Sequence, residues 1–182
     1  MSENNVSDPR FPIGRFEMPA IVPSGERPAL IRRIEVMPAR LREAVSGLTE
    51  AQLDTPYRDG GWTIRQVIHH VPDSHMNSYV RFKLALTENE PLIKTYDEAA
   101  WGRLGDVEST PIEVSLQLLE SLHARWVNLL RSMTDAEWGR TLRHPERLQV
   151  DNGRLRLDQM LAMYAWHCDH HVAHVHQAIS RA

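Results

Sequence analysis

Apolar residues recur along most of the chain at three- and four-residue spacings, the period of a helix with one buried face. Ile64, Val67, Ile68, Val71, Ser78, Tyr79 and Phe82 mark one such face, and Leu116, Leu119, Leu122, Trp126, Leu129 and Leu130 mark another. A further helical region spans about Arg27 to Leu48. Pro38 inside it predicts a kink or a split, because proline lacks the N–H of an interior helical bond and its ring crowds the preceding turn. The last helix is predicted from about Leu157 to Ser180. Start signals agree with these limits. Thr63 with Gln66 has the form of a capping box, and Thr110-Pro111-Ile112-Glu113 combines an N-cap, a proline at the first helical position and the capping glutamate. Thr49–Gln52 and Thr134–Glu137 have the capping-box form and predict short helices. Residues 88–109 read as connection with one helical turn around 97–104, and residues 141–154 as a turn-rich connection or small hairpin. Residues 1–25 contain Pro9, Pro12, Pro19 and Pro23 and little periodicity. They read as an extended N-terminal arm laid on the body through Phe11, Ile13 and Phe16, with residues 26–182 as a single domain. Four long helices around one core predict an all-α protein, a four-helix bundle with a kinked first helix and short connecting helices.

Composition changes this picture little. A chain of 182 residues buries a sizeable core, and 42% hydrophobic with 25% charged residues is the balance of a soluble globular domain. A net charge of −3 and a pI of about 6.4 supply no basic face for nucleic acid. No apolar run approaches the roughly 20 residues a membrane span needs. Met1–Asn5 lacks the basic and apolar regions of a secretory signal. Cys168 is the single cysteine, which excludes an intrachain disulfide and fits a cytoplasmic protein.

The candidate chemistry lies near the C-terminus. Five of the ten histidines fall within Trp166–His176. His167 and His171 are four apart, one above the other on a helix, a spacing at which two imidazoles hold one metal ion. Zinc and nickel sites take such neutral nitrogen donors. Met160, Met163, Tyr164, His167, His171, His174 and Ala178 share one stripe, so the buried face changes along the helix from apolar groups to imidazoles. Imidazoles buried without partners are costly, and a metal ion removes that cost. The plainer alternative is a row of core histidines bonded to carbonyls or waters. His170, at the edge of the stripe, is expected at the rim or in solvent, and His176 points away into solvent. A third ligand has to come from another element: His69, His70 or His75 on the second helix, His123 on the third, or His144 in a connection. His69 points away from the apolar face, His70 flanks it and His75 is nearer its centre; periodicity does not choose between His70 and His75. Asp73 and His174 are candidates for a catalytic base or for partners of the ligands. Asn77, Tyr79 and Arg81 are candidate pocket residues, Arg81 suiting an acidic group. Tyr57, Arg58, Asp59, Gly60 and Gly61 form either a pocket mouth or a plain turn. Cys168 lies off the stripe and is expected as a buried structural thiol.

The run Thr55-Pro56-Tyr57-Arg58-Asp59-Gly60-Gly61-Trp62-Thr63-Ile64-Arg65-Gln66-Val67-Ile68-His69-His70-Val71 is followed by Asp73-Ser74-His75-Met76-Asn77-Ser78-Tyr79, Arg81-Phe82-Lys83 and Tyr96-Asp97-Glu98. With Phe11-Pro12-Ile13-Gly14, His123-Ala124-Arg125-Trp126 and Tyr164-Ala165-Trp166-His167…His170-His171-Val172-Ala173-His174, it resembles the YfiT-type branch of the DinB-like superfamily over nearly the whole chain. These proteins are described as metal-dependent hydrolases and are related to the bacillithiol S-transferases. The resemblance implies a four-helix bundle with one long crossover, commonly a homodimer, and one zinc or nickel ion between helices. Its first ligand lies eight residues after the tryptophan that opens the second helix, which is His70; His167 and His171 match the other two. The implied activity is hydrolysis of a small-molecule substrate by metal-activated water. The alternatives are transfer of a low-molecular-weight thiol such as bacillithiol, held as thiolate, and a metal-binding bundle without turnover. Pro72 departs from the pattern: it removes the helical bond to the Ile68 carbonyl and is expected to kink the helix just after His70.

Overall fold

Each strong helical period becomes a helix. A computed structural model describes residues 8–147 and 151–182; the parts of the predicted arm and of the 141–154 connection that fall on residues 1–7 and 148–150 lie outside the described residues. In chain order the helices are α1 (Arg27–Val45), α2 (Glu50–Leu53), α3 (Ile64–Thr87), α4 (Glu98–Trp101), α5 (Gly105–Ser109), α6 (Ile112–Ser132), α7 (Asp135–Trp138) and α8 (Leu157–Ile179). The predicted boxes at Thr49, Thr63 and Thr134 all form, each threonine hydroxyl taking the backbone N–H three residues on. The box predicted at Thr110 does not. α5 precedes it directly, and Thr110 donates its N–H to the Asp106 carbonyl, so α6 starts one residue later, with Pro111 at the cap position and no side-chain cap.

α1 continues unbroken through Pro38, so the split is not made. The missing bond is instead replaced from outside: the Ile34 carbonyl, which position 38 would serve in a regular helix, accepts from His123 Nδ1 of α6 at 2.7 Å. α3 likewise runs through Pro72. Of the two readings for residues 141–154, the hairpin forms. β1 (Thr141–Arg143) pairs antiparallel with β2 (Arg154–Arg156), and the opposed Leu142 and Leu155 face the core.

The four long helices do not pack in chain order. α1 lies against α6 and α8, and α3 lies against the same two. The ring therefore runs α1–α6–α3–α8, with the two N-terminal long helices on opposite corners. Ile34, Met37, Leu41, Ile68, Phe82, Leu119, Trp126 and Leu161 fill the interior. Asp169 ties α8 to α1 by accepting from Arg33 at 2.6 Å and from Arg40. Along the arm, Val22 is buried, and Gln159 of α8 donates to the Pro19 carbonyl at 2.9 Å. No helix among the described residues is long and apolar enough to cross a membrane.

Trp126 sits at the centre of this core, edge-on to Phe82, His75, His123 and Tyr164. Trp126→Ala is expected to destabilise the protein by about 3–5 kcal/mol, read as a lower urea midpoint. An unchanged midpoint would mean that the indole does not carry the core.

Candidate metal centre

Two helix starts aim the site. The Thr63–Gln66 box fixes the first turn of α3, and Gln66 Nε2 also donates to the Gly102 carbonyl at 2.8 Å, which holds the rotation of the helix. Arg65, from the same turn, bridges Glu50 at 2.6 Å and Asp54 at 2.9 Å. α8 starts where Arg156 N–H donates to Gln159 Oε1 at 3.0 Å, beside the fully buried Asp158, whose carboxylate takes two bonds from the Arg156 guanidinium. With both helices set, His70 of α3 faces His167 and His171 of α8.

One ring nitrogen from each of these three histidines lies within 4.8 Å of the other two. His167 Nε2 and His171 Nε2 are 3.1 Å apart. Two donors at about 2.0–2.1 Å from a tetrahedral zinc stand about 3.4 Å from each other, so the pair is already near coordination spacing. Burial pushes His70 down to about 4. Burial, and after it the neighbouring imidazoles, push His167 and His171 well below the ordinary histidine value. The rings are thus neutral at pH 7 and have lone pairs to give. Two opposed lone pairs at 3.1 Å repel unless a proton or a cation lies between them. Three uncharged nitrogens without a carboxylate fit a divalent ion of borderline softness.

The cluster opens on a cavity of about 510 Å³. Trp62, Tyr164 and Trp166 give it aromatic walls, and Arg10, Arg58 and Arg81 give it positive charge. Trp62 lies against the His70 ring, with centroids 4.6 Å apart.

Residues 33–175 match the DinB superfamily. The chain belongs to the DinB superfamily. It is 46% identical over 165 residues to "Putative metal-dependent hydrolase YfiT" of Bacillus subtilis, covering 91% of this chain and 90% of that one. It is 46% identical over 174 residues to "Putative metal-dependent hydrolase BH0277" of Halalkalibacterium halodurans, with 96% and 98% covered. A Bacillus anthracis protein also named as a putative metal-dependent hydrolase is 49% identical over 170 residues, with 93% and 95% covered. The solved structure of the Bacillus subtilis YfiT protein superposes with a TM-score of 0.89 at 45% identity, over 95% of this chain and 96% of that one. It is described as "a probable metal-dependent hydrolase with an unusual four-helix bundle topology".

Within this DinB bundle the other sequence candidates separate. His174 lines the cavity, stacked on Tyr57 with centroids 4.0 Å apart, and burial lowers it to about 4. Asp73 is half-buried but does not line the cavity; burial, and then Asp106 of α5, push its carboxyl up to about 6. His170, expected at the rim or in solvent, is buried in the cavity wall between Trp166, at 4.2 Å, and Phe11 of the arm, at 6.2 Å. The arm and Trp166 cover an edge of α8 that a bare helical wheel leaves open. His176 is exposed as expected. His69 turns to Ser115 of α6, its Nδ1 2.7 Å from the hydroxyl. His75 and His123 lie behind His167, away from the cavity, and His144 lines it. Arg81 reaches the cavity and donates to the Lys94 carbonyl, whereas Tyr79 packs on the core and Asn77 bonds the Asp73 carbonyl. Of the turn Tyr57–Gly61, Tyr57, Arg58, Gly60 and Gly61 line the cavity and Asp59 does not. A Cβ on Gly61 would stand 2.7 Å from Arg58 Cγ, so this turn requires glycine to close. Cys168 is fully buried, and burial pushes its thiol up. Trp166 and Arg10 were not foreseen. Trp166 precedes His170 by four, the same spacing as His167 and His171, which was a usable signal; nothing in the arm marked Arg10.

Proposed function

We propose that His70, His167 and His171 hold one zinc or nickel ion, and that the protein uses it to hydrolyse a small molecule bound in the cavity. The observation that carries this reading is the convergence of three neutral imidazoles from two helices at a cavity large enough for a small substrate. The relatives named as metal-dependent hydrolases support it. When bound, a divalent ion with three neutral protein ligands keeps its charge and an open position, polarises a carbonyl and lowers the pKa of water to about 7. The chain supplies the rest. His174, which lines the cavity with its ring centroid 5.5 Å from that of His171, would be the side chain placed to take up a proton released there. Trp62 and Tyr164 exclude bulk water from one side of the cavity. Arg58 and Arg81 donate only to backbone oxygens among the described residues. They are therefore available to an acidic group on the substrate.

A panel of esters and amides, half of them carrying a carboxylate, tests the reading. Turnover is expected to favour the acidic members, to vanish on removal of metal by a chelator and to return with zinc or nickel. Hydrolysis that survives complete metal removal overturns it. So does consumption of electrophiles that requires an added thiol and yields no hydrolysis product.

A further inference from the structure

Behind the metal centre a row of hydrogen bonds crosses the bundle. The Ile34 carbonyl accepts from His123 Nδ1 at 2.7 Å. His123 Nε2 is 2.7 Å from His75 Nδ1, and His75 Nε2 is 2.9 Å from His167 Nδ1. His75 and His123 are essentially without solvent contact. Their rings are parallel to within 6° with centroids 4.9 Å apart, so the N–H···N bond between them lies near both ring planes.

The row has a fixed direction. A carbonyl oxygen only accepts, so His123 carries its hydrogen on Nδ1, and its Nε2 is a lone pair. His75 must then donate from Nδ1, which leaves its Nε2 as the acceptor for His167 Nδ1–H. His167 is left with a lone pair on Nε2, the nitrogen that faces His171. One backbone oxygen thereby sets three tautomers in sequence. That oxygen is available because Pro38 has no N–H to occupy it.

We propose that His75 and His123 are positioning residues, and that this row, anchored on the carbonyl freed by Pro38, holds His167 with Nε2 bare and aimed at the metal. The role, though not the row itself, rests on His167 being a ligand. Ligand histidines commonly give their second N–H to a carboxylate or carbonyl. A carboxylate here would lend the ligand negative charge. A neutral imidazole fixes the same tautomer without doing so, which preserves the Lewis acidity of an ion held by three neutral donors.

Nitrogen-15 NMR of the unsubstituted protein, freed of metal, tests the row directly. His75, His123 and His167 are each expected as the Nδ1–H tautomer. Finding His75 or His167 as the Nε2–H form overturns the proposal, whether or not zinc binds. Zinc affinity then tests the role. His75→Phe, which fills the space without an acceptor, is expected to bind zinc 10–100-fold more weakly. His75→Gln, whose side-chain oxygen can accept from His167, is expected to recover most of the loss. A folded His75→Phe protein that binds zinc as tightly as the unsubstituted one overturns the role and assigns the two histidines to packing alone. A separate His70→Ala variant tells the two readings apart: if it retains full zinc binding, the metal reading fails while the NMR result for the row still stands.

Discussion

His171→Ala is expected to lose tight zinc binding altogether, by a larger factor than the 10–100-fold typical of a partner behind a ligand. The reason is geometric. α8 offers two nitrogens 3.1 Å apart, and α3 offers one. Removing His171 leaves His70 and His167, whose ring centroids are 5.7 Å apart, to hold an ion at an opened cavity floor. A competition titration with a chromophoric chelator measures the affinity directly. Thermal unfolding gives a second readout. A ligand at 100 times its Kd adds about 2.7 kcal/mol to the stability of the folded state, so zinc raises the Tm of the unsubstituted protein and leaves that of the variant where it was. Stoichiometric zinc in purified His171→Ala would place the site elsewhere.

The second large effect is acid lability of the metal-free protein. Burial holds His70, His123, His170 and His174 at about 4 in the folded state, against about 6.5 in an unfolded chain. Between those values the unfolded chain binds protons that the folded one refuses. The stability from these groups is therefore complete above about pH 6.5 and falls as the pH drops toward 4, by about 1.4 kcal/mol per pH unit for each group. Asp73 works in the opposite sense: its carboxyl, raised to about 6, takes up its proton in the folded state first and so favours folding as the pH falls. One carboxyl does not offset four imidazoles. Against a total stability of about 5–15 kcal/mol for a typical domain, the bundle is expected to unfold near pH 5. Urea midpoints at pH 7.5, 6 and 5, with chelator present, measure the slope. A flat profile would mean that these histidines charge without opening the core.

The four long helices were legible because their periods are long; of their starts, only that of α3 carries a threonine cap. The pair His167 and His171 was legible for a related reason, since a separation of four needs only a helix to bring the rings together. The third nitrogen was different in kind. His70 and His75 both lie on the inner side of α3, and both meet His167: one beside the cavity, the other behind it. Which of them faces the cavity depends on how far α3 and α8 are shifted along each other, a tertiary quantity that no single-helix period contains. It was the resemblance that pointed to His70. The burial of His170 eluded the helical wheel because its cover comes from the arm and Trp166. The part played by Pro38 was hidden as well: its position announced a broken bond but not that a histidine 85 residues later would use the carbonyl left behind.

The order of helices around the bundle has a consequence for synthesis. A nascent chain that has made α1 and α3 has made two helices that share no extensive contact. Their apolar faces remain open until α6 arrives, and the ring closes only with α8, the last of the four to leave the ribosome. Assembly of this kind must close long stretches of chain before packing repays it, which slows folding and prolongs exposure of sticky surface. Two of the three candidate metal nitrogens also sit on α8. The candidate site is thus completed by the same event that closes the bundle.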